Sequence, residues 1–340
     1  MTSAANIAGR PRSGSRLRTA ICDRLGIEAP VFQAGMGWVA RAELAAAVSA
    51  AGGLGVVGAG STSGADELRA EIRGVRERTD RPFGVDILFA TVRAAGDEAT
   101  RYTDQVRAMV EVVLEERVPV LISGLGSPKA VVPEARARGI FVMSVVGAVK
   151  HAQRAQADGV DAVIASGCDG GGHVGQVGTA ALVPAVVDAV EIPVLAGGGL
   201  ADGRGLVAAL ALGAQGVWMG TRFIATREAR AHDNYKAKIV GTDTAGTVVT
   251  RAHSGKTCRL IDNEFTRSWA GREGEILPYP LQGIRVGHPA SERGRLRGEV
   301  ETGVLPAGQS CGLIGDVPAA GDIVRRIVTE AEAVLARLAP

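Results

Sequence analysis

Eight short apolar runs separated by amphipathic segments limit the folds open to this chain of 340 residues. The runs are VFQA, GLGVV, FGVDI, VPVLI, FVMSV, AVIAS, PVLA and GVWM, at 31–34, 53–57, 83–87, 118–122, 141–145, 162–166, 193–196 and 216–219. Helical patterns lie between them, as at 42–51, 65–78, 104–116, 128–138, 148–158 and 203–212. Nearly continuous apolar strands are typical of a parallel sheet that is buried on both faces. Eight such strands with intervening helices predict a TIM (β/α)8 barrel.

Three glycine-rich turns follow strands six, seven and eight. They read GCDGGGHVG at 167–175, AGGGLADG at 196–203 and MGTRF at 219–223. A doubly wound open sheet is the alternative fold, but its glycine fingerprint would usually follow the first strand. Loops after the late strands of a barrel commonly bind phosphate, because glycines let backbone N–H groups approach an anion. The turns therefore favour the barrel and predict a phosphate-bearing ligand.

His173 lies inside the first of these turns, directly after a triple glycine. A neutral imidazole can accept a proton, donate one or hydrogen-bond an oxyanion. We therefore predict that His173 is the catalytic residue. Of the other histidines, His151 is expected on a helix surface and His232 in a loop or cap. His253 and His288 could reach the site only if the C-terminal part folds over the barrel mouth.

Composition excludes several classes of protein. A net charge of +2 gives no reason to expect nucleic acid or an acidic membrane as a partner, and no apolar run approaches the ~20 residues of a membrane span. The cysteines, Cys22, Cys168, Cys258 and Cys311, lack CxxC spacing, so neither a metal site nor a disulfide is expected. Cys168 fits a small residue in a tight turn better than a nucleophile. These features predict a cytoplasmic enzyme.

Three regions are predicted along the chain. Residues 1–18 form a flexible basic N-terminus, 19–240 the barrel, and 241–340 a C-terminal cap of helical and irregular structure. TVVTRAHSGKTCRLI, starting at 247, could form two short strands, and 263–270 could begin a helix. The stretch 271–315 is rich in glycine, proline and charge. The amphipathic pattern at 319–338 predicts a closing helix against the barrel or a neighbouring subunit, which allows a homo-oligomer.

Several motifs resemble those of the nitronate monooxygenase (2-nitropropane dioxygenase) family. PVFQAGMGWVARAELAAAVSAAGGLGVVGAG at 30–60 is similar to that family's opening. DAVIASGCDGGGHVG, IPVLAGGGLADGRG and ALGAQGVWMGTRF resemble its flavin-binding half. AHDNYKAKIV at 231–240 is similar to the segment after that half in these enzymes and in the related flavin-dependent enoyl-acyl-carrier-protein reductases. The resemblance covers about 27–240 and implies a TIM barrel with non-covalent FMN.

The resemblance also implies roles for individual residues. It puts His173 on the substrate side. Independently of the resemblance, Trp38 is a candidate pocket wall because it directly follows the first-strand loop GMG. The residues implied in cofactor binding surround the flavin ring or its phosphate: Ala34, Gly35, Met36, Gly37, Asp86, Ser166, Gly171, Gly172, Gly198, Gly199, Gly220 and Thr221. Two positions depart from the family pattern. Asn is frequent where Asp86 stands, and an ionised carboxylate there would disfavour an anionic reduced flavin. Gln is frequent at Ser166, so one hydrogen bond to the cofactor is missing or water-mediated.

The expected activity is the FMN-dependent oxidation of alkyl nitronates with O2. The alternative within flavin chemistry is an enoyl-thioester or quinone reductase, in which NADH or NADPH binds transiently over the flavin. No GxGxxG motif supports a dedicated nicotinamide domain. A flavin-free, phosphate-binding lyase or isomerase, or a non-catalytic flavin-binding protein, would use the same barrel. The residue types required of His173 are nearly the same in the oxygenase and the reductase, so both remain open here.

Overall fold

A computed structural model of the chain describes residues 16–61, 64–89 and 97–339. Eight parallel strands form one sheet. They are β1 (Val31–Gln33), β2 (Gly55–Gly58), β3 (Phe83–Phe89), β4 (Val120–Gly126), β5 (Phe141–Val146), β6 (Ala162–Ser166), β8 (Val194–Gly197) and β9 (Val217–Met219). Their order in the sheet is β1, β9, β8, β6, β5, β4, β3, β2. A second, antiparallel sheet consists of β7 (Gly172–His173), β10 (Thr247–Thr250) and β11 (Cys258–Ile261).

Thirteen α-helices are formed by the described residues. They are α1 (Ala20–Leu25), α2 (Ala42–Ala50), α3 (Ala65–Arg78), α4 (Asp97–Glu115), α5 (Val132–Ala137), α6 (Val149–Ala157), α7 (Thr179–Val187), α8 (Gly203–Ala211), α9 (Thr221–Ile224), α10 (Asp233–Val240), α11 (Glu264–Ser268), α12 (His288–Leu296) and α13 (Ala320–Leu338). None of the described helices is both long and apolar enough to span a membrane.

The eight-stranded sheet closes into a barrel between β1 and β2, which stand at the two ends of the strand order. The Leu54 N–H donates to Val31 O at 2.9 Å, and the Gln33 N–H donates to Leu54 O at 3.0 Å. Phe32 and Ile164 belong to a buried cluster inside the barrel, whereas their neighbours Val31 and Val163 belong to the larger cluster between strands and helices. Burial on both faces is what the apolar runs predicted. The TIM barrel with a C-terminal cap is confirmed.

The chain ends with the helix that completes the barrel's outer ring. α13 packs against α8 and α2. The contact with α8 is close, because Gly203 lies directly against the backbone of Ala331 and its N–H donates to Glu330 Oε2 at 2.9 Å. The segment between α10 and α13 is therefore an insertion between the last strand and the last helix of the barrel. A boundary between two folding units after 240 stays a prediction.

The inserted segment covers the carboxyl ends of the barrel strands. β11 pairs with β7 in the loop after β6, placing Cys258 opposite His173 and Arg259 opposite Gly172. The sequence indicated the two strands β10 and β11 and the helix near 263. It did not indicate α12 or the π-helix at Gly283–Gly287, because the many glycines and charges of 271–315 are typical of loops.

The other end of the barrel is closed by α1. Ile21 and Cys22 are fully buried in the interior cluster. Leu17 is also buried, and Arg18 donates to Ile27 O at 3.0 Å, so both belong to the folded part. The rest of the N-terminus predicted to be flexible, residues 1–15, lies outside the described residues. The cytoplasmic location and the homo-oligomer stay predictions.

Gly203→Ala should destabilise the protein through the contact between α8 and α13. A Cβ at this position would lie 2.3 Å from the Ala331 backbone nitrogen, which cannot move without shifting the helix. We expect the free energy of unfolding to fall by about 1–3 kcal/mol. Gly274→Ala is the control, because a Cβ there meets nothing within 4 Å. Urea unfolding followed by circular dichroism measures both, and equal midpoints would contradict the packing described.

Candidate active site

A cavity of about 260 Å³ lies at the carboxyl ends of the barrel strands, under the inserted segment. Active sites of TIM barrels are found at this end. All of the residues predicted for the site line this one cavity: Ala34, Gly35, Met36, Gly37, Trp38, Asp86, Ser166, Gly171, Gly172, His173, Gly198, Gly199, Gly220 and Thr221. Their individual roles stay predictions.

The turn after β1 forms one wall of the cavity. The Ala34 N–H donates to Met219 O at 2.9 Å, and Met36 O accepts from Val39 and Ala40, which fixes the turn before α2. Trp38 has a φ of 73°, a left-handed conformation that is uncommon for a bulky residue. Residues with such uncommon backbone angles cluster at functional sites. The geometry thus presents the backbone of this turn, and the Trp38 ring, to the cavity.

Glycines after β8 and β9, predicted to bind a phosphate, line the cavity. Gly198 and Gly199 have φ of 99° and 71°, and a Cβ on Gly198 would lie 2.7 Å from Thr179 Oγ1. The N–H groups of Gly199 and Gly220 donate to no other described residue. Thr221 Oγ1 accepts from the Gly308 N–H at 2.9 Å, which leaves its own hydroxyl hydrogen free to donate. These donors therefore line the cavity with no acceptor among the described residues, as expected of groups that could bind an anion.

The strand β7 places His173 at the wall of the cavity. Gly172 has a φ of 78°, and a Cβ on Gly171 would lie 2.6 Å from the backbone of Ala307. Both positions therefore need glycine if the loop is to pack under the inserted segment. Asp169 anchors the loop, since its Oδ2 accepts from the Thr179 N–H at 2.6 Å.

His173 is held by residues of the inserted segment. Its Nε2 lies 2.8 Å from Ser254 Oγ, and its ring stacks on that of His253 with centroids 5.9 Å apart. Desolvation lowers the pKa of His173 to about 4, and the positive charges of Lys256 and Arg295 act in the same direction. The ring is therefore neutral near pH 7. It can orient a substrate by hydrogen bonding but is a weak base.

Arg295 supplies the positive charge of the cavity. It is 7% exposed and is the one Lys or Arg among the described residues that line the cavity. Its Nη1 donates to Gly37 O at 2.9 Å and its Nε to Val304 O at 3.3 Å. None of the described ion pairs gives it a carboxylate partner. A buried cation without a counter-ion favours an anionic ligand beside it.

Asp86 does not offset that charge. The pKa of its carboxyl group is raised to about 8 by burial, while a hydrogen bond from the Gly124 backbone acts in the opposite direction. The side chain is therefore mainly protonated at pH 7. The ionised carboxylate considered from the sequence is therefore disfavoured by burial at this position.

Candidate metal ligands meet in the same cavity. One ligand atom each from His173, His253 and Cys258 lie within 4.8 Å of one another. Burial raises the pKa of the Cys258 thiol to about 12, so the thiol is neutral at pH 7. The neighbouring Arg295 cation also disfavours a second positive charge, as its effects on the pKa values of His253 and Cys258 show. We assign no metal to this cluster.

Sequence reasoning missed part of the site. Ser254, Arg295 and Tyr235 line the cavity, and Tyr235 donates its hydroxyl to Pro306 O at 2.6 Å. His253 and His288 also reach it, because the inserted segment covers the barrel mouth. The signal for Arg295 was weak, since GRLRGE reads as a solvated charge cluster.

Positions away from the cavity agree with the sequence. His151 is exposed on α6, and His232 caps α10 by accepting from the Asn234 N–H at 3.1 Å. Cys168 lies in the tight turn after β6, where its N–H donates to Val177 O and its carbonyl accepts from Arg259 Nε. It does not line the cavity.

The fold and the site define a TIM-barrel enzyme whose cavity is lined by glycine-rich turns and by a half-buried histidine that is neutral near pH 7. The profile of the nitronate monooxygenase family matches residues 18–330. This chain therefore belongs to the nitronate monooxygenase family, and the predicted family and oxidoreductase class are confirmed.

Similar proteins include both probable monooxygenases and dehydrogenases. The chain is 32% identical to a probable nitronate monooxygenase of Staphylococcus saprophyticus, over 95% of this chain and 100% of that one. It is 36% identical to the (3aS,4S,5R,7aS)-5-hydroxy-7a-methyl-1-oxo-octahydro-1H-indene-4-carboxyl-CoA dehydrogenase of Mycobacterium tuberculosis. That similarity covers 93% of this chain and 96% of that one.

Two solved structures share the whole fold. FabK from Thermotoga maritima is 39% identical with a TM-score of 0.86, over 94% of this chain and 98% of that one. A nitroalkane oxidase from Streptomyces ansochromogenes is 31% identical with a TM-score of 0.84, over 94% of this chain and 100% of that one.

The lowered pKa of His173 should make stability depend on pH. In the unfolded chain the imidazole takes up a proton near pH 6.5, whereas in the folded protein it does so only near pH 4. Acidification from pH 7 to 5 therefore favours unfolding, by about 1–2 kcal/mol through this residue. Urea unfolding at both pH values should show a larger loss for the wild type than for His173→Asn. Equal losses would contradict the assigned environment.

Proposed function

We propose that the cavity binds FMN and that the enzyme oxidises alkyl nitronates with O2. The cradle of Gly198, Gly199, Gly220 and Thr221 fits the phosphate, because its unpaired backbone N–H groups and hydroxyl are donors. The turn at Ala34–Gly37 is the surface on which the flavin ring would lie. When bound, FMN supplies the acceptor for electrons from the substrate and the reactivity toward O2.

The charge of the cavity is the observation that favours a nitronate. Arg295 is buried and positive, whereas His173 and Asp86 are neutral at pH 7. An alkyl nitronate is an anion, so it would gain the attraction of Arg295 in a site of low dielectric constant. A neutral nitroalkane would gain little from this charge.

His173 serves this substrate by orientation. In the tautomer whose Nε2 accepts the Ser254 hydroxyl hydrogen, the Nδ1–H is left free to donate a hydrogen bond to an anionic substrate. A base with a pKa of about 4 removes the α-proton of a nitroalkane poorly, because that proton is far less acidic than an imidazolium of this pKa. The proposed function thus favours a preformed nitronate over a nitroalkane.

A thioester oxidoreductase is the second candidate. It is favoured by the similarity to a CoA-thioester dehydrogenase and to FabK. In this case Arg295 or His173 would polarise a thioester carbonyl, and NADH or NADPH would be the reductant of the flavin. The two candidates differ in which compound reduces the enzyme.

Anaerobic mixing separates them. The purified holoenzyme is mixed in turn with propyl-2-nitronate, NADH and NADPH while flavin absorbance is followed. We expect bleaching by the nitronate and none by the pyridine nucleotides. Bleaching by NADH or NADPH alone would instead establish the reductase, and a colourless protein that binds no FMN would overturn both candidates.

Substitution of His173 should separate cofactor binding from turnover. His173→Ala removes a hydrogen bond to an anionic substrate, which is worth about 1.5–3 kcal/mol, so we expect kcat/KM for propyl-2-nitronate to fall roughly 10- to 100-fold. FMN content should stay at the wild-type level, because the proposed cradle consists of Gly198, Gly199, Gly220 and Thr221 and does not include His173. His151→Ala on the surface of α6 is the control. An unchanged kcat/KM in His173→Ala would refute the role.

Substitutions that remove or keep the positive charge of Arg295 test whether this charge binds the nitronate. Arg295→Gln should raise KM for the nitronate at least tenfold, because one charge-assisted contact is lost. Arg295→Lys should preserve part of the affinity. Thermal unfolding midpoints are compared in parallel, since Arg295 also ties the inserted segment to Gly37. Equal KM values in folded Arg295→Gln and wild type would contradict the charge argument.

A further inference from the structure

Two glycines make a slot for the carboxyl group of Asp86. A Cβ on Gly35, in the turn after β1, would lie 2.6 Å from Asp86 Oδ2. A Cβ on Gly124, near the end of β4, would lie 2.5 Å from Asp86 Oδ1. A side chain at either position would displace the carboxyl group. The fold thus holds an acidic group between two strands, at the wall of the cavity.

This carboxyl group is buried without a counter-ion. Asp86 is 8% exposed, and its Oδ1 has no hydrogen-bond partner among the described residues. None of the described ion pairs includes it. No titratable side chain of β2, β4 or the β1 turn contributes to its pKa, so burial is what raises it. A carboxylate in such a slot would be costly, whereas a carboxylic acid is tolerated and can donate a hydrogen bond.

We propose that Asp86 is a neutral carboxylic acid that donates a hydrogen bond to the bound flavin, so that FMN affinity depends on the protonation of this side chain. The proposal rests on the proposed FMN site. Its basis is the geometry of the slot: the carboxyl group contacts Gly35, which belongs to the turn on which the flavin ring would lie.

The direction of the pH effect is set by linkage. Bound FMN covers the slot and accepts the hydrogen bond, so the protonated form of Asp86 binds FMN better than the ionised form. Affinity is therefore fully present below about pH 8 and is lost as the carboxyl group ionises above it. The dissociation constant should rise by up to about tenfold per pH unit, the limit for the loss of one proton.

The experiment compares the wild type with Asp86→Asn between pH 6.5 and 9.5. Asn has the same shape and a permanent amide donor, so it cannot ionise. FMN release from the holoenzyme on dilution gives the dissociation constant by flavin fluorescence. We expect the FMN dissociation constant of the wild type to rise at least tenfold above pH 8. Over the same pH range, the FMN dissociation constant of Asp86→Asn should change by no more than about twofold.

The remaining outcomes are distinguishable. Parallel pH profiles in the two proteins would overturn the role of Asp86 while leaving the FMN site intact. Absence of FMN from both proteins would instead overturn the proposed function. Urea midpoints at each pH show that the fold persists. If Asp86→Asn does not fold, Asp86→Ser provides the same comparison, because it too lacks the ionisable group.

Discussion

The antiparallel pairing of β7 with β11 is the interaction on which the site depends. His173 and Gly172 come after a run of glycines, whose backbone would otherwise have many accessible conformations. Pairing with Cys258 and Arg259 fixes that backbone. The same pairing draws the inserted segment over the barrel mouth. The histidine is therefore positioned by a strand that lies more than eighty residues away in sequence.

Burial also determines the charges in the cavity, by the inserted segment at His173 and by the slot between Gly35 and Gly124 at Asp86. Desolvation disfavours the charged forms of His173 and Asp86, so that base and acid are both neutral near pH 7. Arg295 stays charged, because a guanidinium keeps its proton in proteins. Among the described residues that line the pocket, Arg295 therefore provides the one positive charge in otherwise mostly neutral surroundings. Anionic groups gain most in such a site. The same positive charge therefore favours both a phosphate at the proposed cradle and the proposed nitronate substrate.

Much of the barrel and of the candidate site could be predicted from local patterns. Apolar runs identified every barrel strand, and the glycine turns identified the loops after β6, β8 and β9. Boundaries were less certain: the fourth strand was expected at 118–122 and is Val120–Gly126, because its glycine-containing end reads as a loop. Arg295 and Ser254 could not be predicted, since their function depends on a segment whose composition is typical of exposed loops.

The sequence by itself determined the fold class, the family and the set of glycines around the cavity, because strand burial and tight turns are encoded by neighbouring residues. Only the tertiary structure decided the ionisation of Asp86 and His173 and the presence of a buried cation. The pKa of a side chain depends on which distant segments remove water from it, and no local pattern carries that information. The sequence shows that residue 86 is an aspartate, whereas the protonation state of its carboxyl group depends on the slot between Gly35 and Gly124.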